Sequence, residues 1–178
     1  MRTVNDKWVA VRLMDEPVKA LWQSYLRTKA RTYKAYVETM EIKNTLHADA
    51  DENIGYFHGN LLPRRDTKFD WTKPVDGTNP ATEWGPLYAS NQLPSLYNLS
   101  SGWLYNANNS PWSAAGSARR KLQDFPAYVE RGTESARGLH ALRVLNGVNN
   151  LTVDSLLAGA YDSYLPWLAK PLPVLLRA

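Results

Sequence analysis

The spacing of apolar and polar residues changes character several times along the chain, and each change predicts an element. Lys7–Leu13 alternates, with Trp8, Ala10 and Arg12 on one face and Val9, Val11 and Leu13 on the other, which is the pattern of a strand. Nothing upstream of it reads as a neighbouring strand. Asp15-Glu16-Pro17 then starts a helix: Pro17 needs no N–H in the first turn, and the acids sit at the positive end of the dipole. That helix is expected to run to about Glu41, with Leu21, Tyr25, Leu26, Tyr33, Tyr36, Val37 and Met40 on its apolar side. Alternation returns in Asn44–Asn60, which predicts a hairpin of Thr45–Ala48 and Ile54–His58 about an acidic turn. Residues 61–100 have no period. Rich in Pro, Asp, Gly and Trp and anchored by Trp71 and Trp84, they read as an ordered functional loop rather than a linker.

Gly102–Tyr105 is a short apolar and aromatic run with the character of a strand, followed by Asn106, Asn108 and Asn109 and ended by Pro111, which has no N–H for a ladder. In an extended segment Asn106 and Asn108 would share a face and Asn109 would lie on the other. A carboxamide is neither nucleophile nor base, but its NH2 can donate to a developing oxyanion; the same residues also make an ordinary turn. After a small, basic connection over residues 113–122 the chain turns helical: Asp124–Arg131, then Glu134–Leu145, then Val153–Tyr161 capped by Thr152, and last Pro166–Leu176. The pattern as a whole is α+β. It reads as one incomplete domain spanning residues 1–178, with strands, a helix and the long loop in 7–112 and helices in 113–178. The apolar, Pro-punctuated final helices look cut from a larger packing arrangement.

Composition narrows the chemistry. Hydrophobic residues at 44% and charged residues at 21% are those of a folded globular chain, and seven Trp with ten Tyr call for large aromatic packing surfaces. The absence of cysteine excludes disulfides, thiolate zinc sites and a cysteine nucleophile. The net charge of +4 arises in residues 1–40, where eight Lys/Arg meet four Asp/Glu. Five of these basic residues, Lys19, Arg27, Lys29, Arg31 and Lys34, are strung along the first helix as a solvated face, so no nucleic-acid partner is expected. No apolar run approaches the ~20 residues a bilayer span needs, so no membrane partner is expected either. The start, Met1 to Asp6, is not a signal peptide. Asp49, Asp51 and Asn53 alternate as in a calcium loop but lack the glycine and distal Glu of an EF-hand, and read as a turn. His47 and His58 flank that turn and could face each other across the strands, without a third ligand.

Three stretches carry a likeness. The run Ala48–Asn60, Pro74-Val75-Asp76-Gly77, and Gly102-Trp103 through Asn106-Ala107-Asn108-Asn109-Ser110-Pro111 together resemble the penicillin acylase family, which includes acyl-homoserine-lactone acylases and belongs to the N-terminal-nucleophile hydrolases. Arg137, Leu151-Thr152-Val153-Asp154 and Tyr161-Asp162-Ser163-Tyr164 agree with it in order. The resemblance implies part of an αββα sandwich and hydrolysis of a linear amide in an N-acylated small molecule, a β-lactam side chain or an acyl-homoserine lactone. The nucleophile in such enzymes is an N-terminal serine whose own α-amine serves as base. The resemblance makes Asn108 the side-chain oxyanion donor and Arg137 its support. It puts the serine and the backbone oxyanion donor upstream of Lys7, so this chain reads as an interior β-subunit-like segment, inactive alone. Its implied partners are the acylated substrate and the remainder of the acylase, an α-subunit-like chain and further β segments. It also implies a periplasmic or secreted location, and a structural calcium with Asp124 as one ligand and the backbone carbonyl of Trp71 as another; the alternative reading of Asp124 is a helix cap. The alternative function is that of a catalytically inactive truncated fragment or interaction module.

Overall fold

The computed structural model describes residues 2–4, 7–13, 16–40, 42, 44–169 and 171–177. Met1, Asn5 and Asp6 at the chain start, Asp15 at the expected helix start and Glu41 at its expected end lie outside the described residues. The first strand has a neighbour after all: β1 (Arg2–Val4) pairs antiparallel with β2 (Lys7–Val9). β2 is shorter than the alternation predicted, and Val11 and Leu13 beyond it are exposed.

The long helix is divided into α1 (Pro17–Leu26) and α2 (Tyr33–Val37). Side chains of threonine cause the break by competing for the backbone. Thr28 Oγ1 donates to the Tyr25 carbonyl at 2.7 Å as α1 ends, and extended Thr32 caps α2, its Oγ1 accepting from the Ala35 N–H at 3.2 Å. The turn between them aims Tyr33 and Tyr36 at the sheet. Gln23 ties α1 to the stretch that follows α2: its Oε1 accepts from the Ile42 N–H at 2.8 Å and its amide lies 3.8 Å from Met40 Sδ.

The hairpin forms as predicted, with β3 (Asn44–Ala48) and β4 (Ile54–His58), and β5 (Leu96–Tyr97) adds to its far side to give an antiparallel sheet in the order β3-β4-β5. Asp49 closes the turn, accepting from the backbone N–H groups of Asp51 and Asn53. Register sets the faces. Leu46, Tyr56 and Leu96 are opposite one another on one face, and His47, Gly55 and Tyr97 on the other. Tyr33 of α2 stacks on Tyr97 with centroids 4.0 Å apart, and Tyr36 covers His47 at 4.1 Å, so α2 roofs the second face. On the first face Tyr56 and Leu96 pack with Ala114 and Ala115 to form the core. His47 and His58 therefore point to opposite faces: His47 pairs with Gly55 and His58 with Asn44.

The loop of residues 61–100 is ordered by a bridge between Pro63 and Leu87, by 3-10 turns at Pro80–Thr82 and Ser90–Gln92, and by aromatic stacking on Arg65, whose guanidinium lies 5.3 Å from the Trp71 ring and 4.9 Å from Trp84. Gly102–Tyr105 is not a strand. The Tyr105 N–H donates to the Ala114 carbonyl at 2.9 Å, so this stretch closes a loop on itself rather than joining the sheet. Asp124–Arg131 forms no α-helix either: a 3-10 turn, Leu122–Asp124, ends at extended Phe125, as Pro126 demands of the residue before it. α3 (Ala136–Leu145) and α4 (Val153–Ala160) match the sequence pattern, α4 with its Thr152 cap. The last helix shrinks to α5 (Leu172–Leu175) among prolines. The molecule is thus mixed helix and sheet, with small antiparallel sheets.

Candidate functional site

The three asparagines of residues 106–109 fold into a turn, not an extended strand end, so the predicted division of faces gives way to a hydrogen-bonded ring. Asn106 Oδ1 accepts from the Asn108 N–H at 2.7 Å, and Asn109 Oδ1 accepts from the Ala107 N–H at 2.9 Å. These Asx contacts bring Asn108 into the left-handed region at φ +55°, where asparagine is tolerated better than most residues. Asn108 is exposed at the tip of the turn.

Beneath the turn lies the carboxylate of Glu134. Oε1 accepts from Asn109 Nδ2 at 2.9 Å and from the Ser135 N–H at 2.9 Å; Oε2 accepts from the Tyr105 hydroxyl at 3.0 Å and from Ser113 Oγ. An ionised carboxylate has about four lone-pair sites, and here each has a donor. Tyr105 is buried, which pushes its hydroxyl pKa up to about 12; the Ser113 bond works against that rise and the Glu134 charge adds to it. Tyr105 therefore stays a neutral donor.

Glu134 leads directly into α3. Ser135 caps that helix, its Oγ accepting from the Gly138 N–H at 3.1 Å, and Arg137 rises from the first turn. Arg137 Nη1 donates to Asn108 Oδ1 at 3.3 Å. A guanidinium offers only donors, so the amide must turn its oxygen to Arg137 and its NH2 away. Among the described residues that NH2 has no hydrogen-bond partner. The structure thus brings together Asn108 and Arg137, 29 residues apart in sequence.

Asp124 and Trp71 each sit in local contacts, with no hydrogen bond between them among the described residues. Asp124 is exposed at the end of its 3-10 turn, and the Trp71 indole N–H donates to the Asp66 carbonyl at 2.7 Å. Among the described residues no three His, Cys, Asp or Glu side chains converge on a metal position.

A second buried cluster lies on the sheet. His58 Nε2 is 3.1 Å from Asn60 Nδ2 and Nδ1 is 3.3 Å from the Tyr56 hydroxyl. With the Asn60 amide donating, Nε2 is the acceptor and Nδ1 carries the proton. Burial pulls the His58 pKa down, while the Glu130 charge opposes that shift.

Glu134, Ser113 and Gly138 were not singled out by sequence. Glu134 reads there as an ordinary acid near a helix start, and three of its four partners lie 21 to 29 residues away, beyond the reach of any periodicity. A glycine inside an otherwise good helical run was the available signal for Gly138.

The sequence and the fold both have relatives. The family model described as Penicillin amidase matches residues 2–178. The curated Penicillin G acylase of Escherichia coli is 36% identical over 90 residues, which is 51% of this chain and 10% of that protein. The solved structure of the thermostable Penicillin G acylase from Alcaligenes faecalis superposes with a TM-score of 0.62 at 21% identity, covering 80% of this chain and 25% of that one. At that identity the likeness speaks for the fold. The chain spans a minor part of either relative's length. Among the described residues no helix is long and apolar enough to cross a membrane. Matched by one family model over almost its whole length, the chain belongs to the penicillin amidase family.

Proposed function

We propose that this chain supplies the oxyanion-stabilising side of an amide hydrolase that cleaves the linear amide of an N-acylated small molecule. The observation that carries the reading is the Arg137–Asn108 bond, which leaves the NH2 of exposed Asn108 without a partner among the described residues. An amide held by its oxygen is a preorganised donor. As negative charge develops on the substrate oxygen, the Asn108 NH2 donates to it, and the bond strengthens in the transition state at no cost of reorganisation. Arg137 keeps the amide oriented and adds positive potential behind it.

In this reading the nucleophile is an N-terminal serine contributed from outside these 178 residues, with its own α-amine as base, and the segment completes an αββα sandwich in a periplasmic or secreted acylase. Penicillin G acylase relatives make a phenylacetyl amide the natural first probe; an acyl-homoserine lactone is the second. The same reading assigns Asp124 and the Trp71 carbonyl to a calcium site whose remaining oxygens come from elsewhere, and no catalytic step runs through it.

The test is steady-state kinetics on a full-length acylase carrying these residues. Asn108→Ala is expected to lower kcat by ~10²–10³ with KM nearly constant, the signature of a contact made only in the transition state. A folded Asn108→Ala enzyme with parental kcat, or an equal loss from Asn106→Ala, overturns the assignment.

A further inference from the structure

Asn108 is exposed and, among the described residues, its side chain hydrogen-bonds only to Arg137, so a single exposed contact at 3.3 Å would otherwise fix the turn against the helix. Glu134 is bonded to both, to Asn109 of the turn and to Ser135 at the cap of α3. It takes Asn109 Nδ2 from the turn and the Ser135 N–H from the cap of α3 on the same oxygen, while Tyr105 and Ser113 hold the other. Asn109 passes the constraint on: with its Nδ2 on Glu134, its Oδ1 is aimed at the Ala107 N–H, which sets the backbone entering Asn108.

A second observation comes from α3 itself. A Cβ built on Gly138 would lie 1.7 Å from Glu134 Oε1, 2.4 Å from its Cδ and 3.1 Å from the Tyr105 hydroxyl. The carboxylate occupies the space a side chain at 138 would fill. Glycine is a poor helix former, and its presence in α3 has no local reason. It is what lets Glu134 lie over the helix within reach of Asn109.

We propose that Glu134 is a positioning residue that holds Asn108 in register with Arg137, and that Gly138 is the opening that admits it. The catalytic consequence rests on the oxyanion reading of Asn108; the positioning itself does not. Substitutions separate this role from general packing. In Glu134→Gln the Ser135 N–H can only donate, so the new amide must set its oxygen at the Oε1 position and its NH2 toward the Tyr105 and Ser113 hydroxyls, which can rotate to accept. The turn is therefore retained. Glu134→Ala removes the acceptor that joins the turn to the cap: Asn109 Nδ2 keeps only the Tyr105 and Ser113 hydroxyls, at 3.1 and 3.4 Å, and the Ser135 N–H loses its partner. Gly138→Ala raises helix propensity but expels the carboxylate, so a merely helical role and a positioning role predict opposite signs.

Two measurements decide. The first is two-dimensional NMR of the 178-residue chain, following the Asn108 side-chain amide and the Arg137 guanidinium, with Tyr56 and Leu96 resonances as the control for an intact core. Glu134→Ala and Gly138→Ala are expected to move the Asn108 and Arg137 signals toward those of free side chains while the core signals stay; Glu134→Gln is expected to leave both near parental positions. The second is kinetics in the full-length acylase: Glu134→Ala and Gly138→Ala should lose about 10- to 100-fold in kcat with little change in KM, and Glu134→Gln should recover most of it. Unmoved Asn108 and Arg137 signals in Gly138→Ala or Glu134→Ala overturn the proposal. If Glu134→Ala fails to fold, Gly138→Ala decides by the same signals. Parental kcat in Asn108→Ala, measured alongside, removes the oxyanion reading alone and leaves the NMR result to decide the positioning.

Discussion

Residues 103–146 and residues 148–177 are built from similar local signals and end in opposite states. In the first stretch Tyr105, Ser110, Ser113, Ala114, Ala115, Val129 and Gly138 are buried, and Glu134 collects donors from four positions in sequence. In the second, no described residue is buried. Yet α4 is well formed. Thr152 Oγ1 accepts from the Ser155 N–H at 3.1 Å and Ser155 Oγ accepts from the Thr152 N–H at 2.8 Å, a reciprocal cap. Its Val153, Leu156 and Leu157 nevertheless face solvent, as do Tyr161 and Trp167 beyond it. The tail is held to α3 by Asp162, which lies 2.9 Å from His140 Nε2 and 3.5 Å from Arg143 Nη1, contacts of a kind that contribute little at a surface. A cap makes a helix; only a partner surface makes it a core. The tail has the sequence of a buried element without, in these residues, the surface that would bury it.

Truncation of one large aromatic in each region gives the sharpest contrast. Tyr56 is 1% exposed and Trp167 is 67% exposed. Tyr56→Ala is expected to cost about 3–5 kcal/mol and Trp167→Ala to stay within about 0.5 kcal/mol, read from urea midpoints at constant m. Equal losses would show that the tail packs in solution and would erase the comparison.

A smaller effect separates the regions by pH. His58 is buried with its pKa depressed by desolvation, so the unfolded chain takes up the proton first. Stability is therefore expected to fall as pH drops below the ordinary histidine value of about 6.5 and to level off below the depressed native value. Asp49, Asp76 and Asp162, all with lowered pKa, and Asp70, held down to about 2 first by its Thr72 bond, keep their charge through this window and lose their contribution only below about pH 4. Urea unfolding between pH 4.5 and 7 should show the slope in the parent and a flat profile in His58→Gln. A flat parental profile would mean that His58 is not held neutral by its surroundings.

The smallest effect is local to the tail. Thr152→Ala removes a cap worth about 1 kcal/mol, and should reduce helicity by circular dichroism and speed amide exchange in α4, leaving Asn109 and Ser135 amide exchange unaltered. Slower or faster exchange at those two would reveal coupling across the Asp162 contacts.

Elements whose causes lie within a few residues were legible in the chain. The hairpin follows from alternation on either side of an Asx turn, and α4 from Thr152; Pro17, at the first position of α1, marks a start that the structure keeps. The turn character of Asn106–Asn109 was legible too, but not its shape, since φ +55° at Asn108 depends on two Asx bonds that an extended reading does not allow. Asn108 and Arg137 were marked by resemblance, not by any pattern that could bring them within 3.3 Å. The break between α1 and α2 was missed because the apolar stripe continues through it, while two threonine hydroxyls outbid the helix for its backbone. What tertiary structure alone decided is the place of Glu134. A carboxylate finds four donors only where separate segments converge, and a glycine is needed at 138 only because that carboxylate is already there. Sequence spacing registers neighbours along the chain, whereas a saturated acceptor is a property of what folding brings across it.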